Sequence, residues 1–124
     1  MSHISLVQMT RIHQALADPL RVLIIYLLLE RELQVGEMVV VLKEPQHKVS
    51  RNLAILKQAG LLRGRRQGTR VHYEISPALG GEWKQALESL RLCWDKSPEV
   101  KAVLWRMHQI LRRTPQVEPK KIFP

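Results

Sequence analysis

Eight consecutive apolar side chains, Val22 to Leu29, lie inside the segment "PLRVLIIYLLLERE". A helix built from them is apolar almost all round, so other parts of the chain have to enclose it on every side. The run falls far short of the roughly 20 residues that span a bilayer, so it predicts a core helix and not a membrane anchor. Asp18 and Pro19 mark its start. The aspartate can accept from the free N–H groups of the first turn, and proline loses nothing at the first helical position.

The flanking segments supply the cover. Leu6, Met9, Ile12, His13 and Leu16 recur at helical spacing before "ADP". "VGEMVVVL" reads as a short third helix, although its three valines also allow a strand. Pro45 opens a fourth helix that ends at Gly60, a C-terminal cap. Val71, Tyr73 and Ile75 alternate with Arg70, His72 and Glu74, the pattern of a strand with one buried face, and "QGT" at 67–69 turns between it and a partner strand. Ser76-Pro77 and Ser97-Pro98 each look like a helix start. After the first, Leu79, Trp83, Ala86, Leu87, Leu90 and Trp94 form a stripe. After the second, Val100, Val103, Leu104, Met107, Ile110 and Leu111 form another, on one long or two broken helices. The tail 114–124, with three prolines in eleven residues, is expected to lack structure. The expected fold is mainly α: a winged helix-turn-helix over residues 1–113 with a two-stranded β-wing. Its N- and C-terminal helices carry more apolar surface than one small core absorbs and are expected to form a homodimer interface.

The 124 residues carry a formal net charge of +9, which points to an anionic partner. Its distribution separates nucleic acid from membrane surface. Residues 1–42 sum to −1, residues 76–124 to +4, and residues 43–75, with eight basic and two acidic side chains, to +6. The excess therefore sits on the fourth helix and the ribbon. One cysteine, Cys93, excludes an internal disulfide and suits a reducing compartment. The N-terminus lacks a secretory pattern. The expected location is the cytoplasm, associated with the nucleoid, without membrane contact. No phosphate loop, carboxylate pair or nucleophile-plus-base spacing supports an enzyme, and no cofactor is expected.

On a helical wheel Val49, Leu53 and Leu56 fall together, toward the core. Opposite them lie His47, Ser50, Arg51, Ala54 and Gln58, flanked by Lys48 and Lys57. Short hydrogen-bonders, an arginine able to pair bidentately with guanine, and an alanine that permits close approach suit a helix in a major groove. Gln46 stands near the helix start, whose free N–H groups favour phosphate. Arg63, Arg65, Arg66 and Arg70 crowd the ribbon that follows. So basic a hairpin resists pairing with itself at its edge. Directly after a reading helix it is better explained as a wing on the phosphate backbone or minor groove. Doubled by a dimer, the two elements predict a palindromic double-stranded operator.

"ALADPLRVLIIYLLL", "VSRNLAILKQAGLL" and "RRQGTRVHYEISP" resemble successive blocks of the ArsR/SmtB family of metal-responsive repressors, over roughly residues 8 to 110. The likeness is greatest to the arsenite-sensing branch. The resemblance implies a homodimeric winged-helix repressor that leaves its operator when an inducer binds. One departure matters. Where the arsenite branch reads Glu-Leu-Cys-Val-Cys-Asp-Leu-Cys, this chain reads "ELQVGEMV", so Gln34, Gly36 and Val39 replace three thiolates. An amide, a hydrogen and an isopropyl group cannot bind a thiophilic metalloid. No histidine falls between Leu79 and Trp94 to make a zinc site on that helix, and His3, His13 and His108 lack cysteine partners. No metal site is expected, and the inducer is unknown. Cys93 is either an apolar interface residue or a redox sensor. Two alternatives stay open: a repressor whose sensing is lost or moved to Cys93, and a winged-helix dimer serving as a protein-interaction adaptor.

Overall fold

The computed structural model describes residues 4–113; His3 and the tail 114–124 lie outside the described residues. In chain order the elements are α1 (Leu6–Ala15), α2 (Pro19–Glu30), β1 (Leu33–Gln34), α3 (Val35–Leu42), α4 (Gln46–Gln58), β2 (Leu62–Gln67), β3 (Arg70–Ile75), α5 (Gly81–Trp94) and α6 (Pro98–Arg113). The strands form one antiparallel sheet in the order β1-β3-β2. No single helix among the described residues is long and apolar enough to cross a membrane.

Helix α2 is the centre. Asp18 Oδ2 accepts from the N–H groups of Leu20 (3.0 Å) and Arg21 (3.2 Å), and Pro19 takes the first position. Ile24, Ile25 and Leu27 are fully enclosed, as an all-round apolar helix demands. Around them pack Leu33, Met38 and Val41, Val49, Leu53 and Leu56, and Leu87 and Met107, so α3 to α6 all contribute to one core. Truncating any of these to alanine costs about 2–5 kcal/mol. Tyr26 is buried as well. Its hydroxyl donates to Asp95 Oδ1, and the Arg91 guanidinium lies over its ring at 5.8 Å. Burial, reinforced by the Asp95 hydrogen bond and charge, pushes its phenol from 10.0 up to about 12.

Two open local readings are settled and three others change. The valine run of α3 is helical: Glu37 Oε1 accepts from the Gln34 N–H at 2.8 Å, and Met38, Val41 and Leu42 meet the core at helical spacing. Pro45 is the N-terminal cap of α4, so the helix begins at Gln46, one position later than expected. Ser76-Pro77 starts no helix. Ser76 Oγ instead accepts from the Ala78 N–H (3.2 Å) in a turn, and α5 begins at Gly81. Ser97 does cap α6, accepting from the Val100 N–H at 3.3 Å, so the C-terminal region is two helices. The wing gains a third strand, β1, which pairs Leu33 with Tyr73 and Gln34 with His72.

The apolar stripe of α6 is used inside the protomer, where Val100, Val103, Met107 and Leu111 are buried. Arg106 Nε donates to the Val41 carbonyl at 2.6 Å, closing the last turn of α3. Helices α1 and α5 are different: Leu6 is 74% and Leu92 68% exposed, and Val7, Leu90 and Cys93 are also exposed.

Candidate nucleic-acid interface

Helix α4 divides as its periodicity requires. Val49, Asn52, Leu53 and Leu56 are buried, while Gln46, His47, Ser50, Arg51, Ala54, Lys57 and Gln58 are exposed. Pro45 offers no side-chain cap, so the N–H groups of Gln46 and His47 stay open at the positive end of the helix. Lys48 is partly committed, with Nζ 3.2 Å from Glu44 Oε1. Arg51 and Lys57 have no acidic partner among the described residues.

The end of α4 leads into the wing without slack. Gly60, at φ +85°, takes the left-handed conformation that favours glycine. The Gly60 N–H then donates to the Lys57 carbonyl (3.0 Å) and the Leu61 N–H to that of Leu56 (3.1 Å), the paired bonds of a Schellman motif. Leu61 and Leu62 are buried, and the Ser76 N–H donates back to the Leu61 carbonyl at 3.0 Å.

In the hairpin Arg63 lies opposite Glu74, Arg65 opposite His72, Arg66 opposite Val71 and Gln67 opposite Arg70. Side chains alternate between faces. Leu62, Gly64 and Arg66 share one face with Val71, Tyr73 and Ile75. A Cβ at Gly64 would stand 3.0 Å from Val71 Cγ1 and 3.3 Å from the Tyr73 ring, so glycine is what lets that ring lie across the strand. The other face holds Arg63, Arg65 and Arg70 together with Glu74. Arg63 Nε sits 2.7 Å from Glu74 Oε2, and Arg65 pairs with Glu32 and lies 4.0 Å from Glu74. Arg70 reaches Gln34 Oε1 at 3.5 Å. Arg66 and Arg70, at the tip, are exposed and meet no carboxylate among the described residues. Sequence reasoning treated the four wing arginines as equivalent, and the fold separates them into two paired with carboxylates and two at the tip that meet none among the described residues.

Two further residues escaped the sequence reading. Apart from the Tyr26 phenol, Asn52 is the only buried polar side chain among the described residues. It accepts from Arg21 NH1 at 3.0 Å and donates to the Lys48 carbonyl at 2.8 Å. Its place on the wheel, beside Leu56 at the edge of the apolar side, was the available signal. At the third-helix position Gln34 caps α3 and borders the wing, Val39 is half-buried, and Gly36 is exposed with open space where a Cβ would go. Among the described residues no three His, Cys, Asp or Glu side chains stand close enough to share an ion.

A reading helix, a turn and a basic hairpin on a helical core define a winged helix-turn-helix. Residues 18–63 match the bacterial regulatory protein, arsR family. Over 68 residues the chain is 44% identical to the arsenical resistance operon repressor of Escherichia coli (strain K12), covering 54% of this chain and 58% of that one. The chain spans about half the length of the curated relatives it matches. HlyU from Vibrio cholerae N16961 superimposes with a TM-score of 0.65 at 30% identity, covering 73% of this chain and 95% of that one. The homodimeric winged helix-turn-helix DNA-binding domain Mb0332 of Mycobacterium bovis gives 0.64 at 29%, covering 77% and 92%. The chain belongs to the ArsR family of bacterial regulatory proteins. These relatives are transcription regulators and DNA-binding domains, not enzymes.

Proposed function

We propose that this protein is a transcriptional repressor that binds a palindromic double-stranded operator as a homodimer, in the cytoplasm at the nucleoid. Helix α4 enters the major groove with Arg51, His47 and Ser50 toward base edges, Gln46 and Lys48 at the entry, and Lys57 toward phosphate. The wing follows the backbone through Arg66 and Arg70, with Arg63 and Arg65 nearer its base. The observation that carries this reading is the outward face of α4, open along its length and joined rigidly to a hairpin with two uncompensated arginines at its tip. The exposed apolar side chains of α1 and α5 support the dimer, as does the homodimeric state named for the M. bovis domain. The inducer is something other than arsenite at the third helix, because Gln34, Gly36 and Val39 supply no sulfur.

Duplexes selected from a random-sequence pool, followed by salt-titrated anisotropy, test the reading. Replacing Arg51→Ala should cost about 1–3 kcal/mol and relax base preference at one position of each half-site. Unchanged preference would refute the groove assignment. Failure to select any duplex would favour a protein-interaction adaptor.

A further inference from the structure

Stability alone would fill the position beside Leu56, at the edge of the buried face that Val49 and Leu53 complete, with a fourth aliphatic side chain, since a buried amide adds little net stability even when satisfied. Asn52 occupies it instead and meets a guanidinium. Arg21, in the first turn of α2, sends NH1 to Asn52 Oδ1 (3.0 Å), Nε to the Ala15 carbonyl (2.7 Å) and NH2 to the Gln14 carbonyl (3.5 Å). Asn52 Nδ2 completes the chain at the Lys48 carbonyl, one turn back in α4. One planar fork thus joins the last carbonyls of α1, the start of α2 and the middle of the reading helix.

We propose that Arg21 and Asn52 are positioning residues that set the rotation and depth of α4, and that base discrimination depends on this clamp. The inference rests on the DNA-binding reading above. Apolar neighbours tolerate small slides of a helix, but a planar donor fork does not. A shift of α4 by one residue moves it about 1.5 Å along its axis and turns it about 100°, which separates Asn52 from Arg21. Arg51 is the next residue in the chain, so its bearing on a base edge is set by the same bond. Phosphate contacts at the wing tip do not pass through the clamp. Its loss should therefore weaken discrimination while the wing's hold on the backbone stays in place. The clamp also gives any displacement of the end of α1 a direct grip on α4.

The full-length homodimer would be compared as wild type, Arg21→Lys, Asn52→Leu, and the double variant Arg21→Met/Asn52→Leu. Each is titrated with the duplex that wild-type protein selects and with a scrambled duplex, after circular dichroism establishes folding. The expected result is a fall of roughly tenfold or more in the selected-to-scrambled affinity ratio, with scrambled affinity held within about twofold and the salt slope flattened by no more than the ~1.8 that the two Lys57 contacts carry. The double variant should lose no more than the worse single, as residues acting as one unit do. A ratio within about twofold of wild type in both singles would overturn the proposal. So would parallel loss on both duplexes, or failure of the singles to fold, either of which marks a purely structural pair. Wild-type protein that binds no duplex would instead remove the DNA-binding reading on which the clamp depends.

Discussion

Replacing Tyr26 with phenylalanine should remove a dependence of stability on alkaline pH that the wild-type protein carries. Tyr26 is 2% exposed, and its hydroxyl donates to a carboxylate that repels the ionised form. Its phenol is pushed from 10.0 up to about 12, chiefly by burial and then by Asp95. The folded state therefore holds the proton after the unfolded chain has released it. The stabilisation is fully present below pH 10 and is lost as pH rises toward 12. At about pH 11 the unfolded phenol is nearly all ionised and the folded one is not, a difference on the order of 1–2 kcal/mol. At about pH 8 the variant should be ~1–2 kcal/mol less stable than wild type, through the lost hydrogen bond to Asp95. Urea denaturation of both proteins at the two pH values gives the comparison, and subtraction cancels lysine titration common to both. Wild type's advantage should shrink to near zero at the higher pH. An advantage of constant size would refute the assignment of the high phenol pKa to this site.

The wing makes a graded prediction. Arg66→Ala removes one free arginine per protomer and should flatten the log–log salt slope of a dimer by about 1.8, whereas Arg63→Ala should change it less because Glu74 already holds that guanidinium; equal changes would contradict the division between base and tip. Sedimentation at micromolar concentration should find a dimer, since obligate interfaces of this kind bury over ~2,000 Å², and a monomer would refute the role of α1 and α5. Stoichiometric arsenite or zinc should leave the protein–DNA complex intact. Release by arsenite that Cys93→Ser abolishes would make the single thiol the sensor.

Local signals were read well because their causes are local. Asp18-Pro19 starts α2 with side-chain and ring geometry that need no distant partner, and the two faces of α4 follow from its periodicity. Features made by pairing were not readable. Strand β1 is two residues long and exists because β3 offers it a free edge. The carboxylate that holds Arg65 belongs to Glu32, 33 positions earlier, and no pattern of charges near the ribbon reveals it. Ser76-Pro77 carried a genuine capping side chain, but the hydroxyl closes a turn and Gly80 opens the helix. Asn52 stood in plain view on the apolar side of the wheel. Its meaning depended on Arg21 reaching it from another helix.

The join between α4 and β2 also bears on what kind of ruler the protein is. Gly60 and the bonds from Leu61 leave no hinge between the reading helix and the hairpin, and both leucines that follow the glycine are locked in the core. If α4 meets bases and the wing meets phosphates as proposed, the offset between the two within one half-site is fixed, and an inserted base pair there should not be accommodated. On the proposed reading, any tolerance for spacing has to come from between the half-sites, where two copies would meet through α1 and α5. Sites recognised by this protein should thus vary in the length of their central spacer while each arm keeps a single, unaltered length.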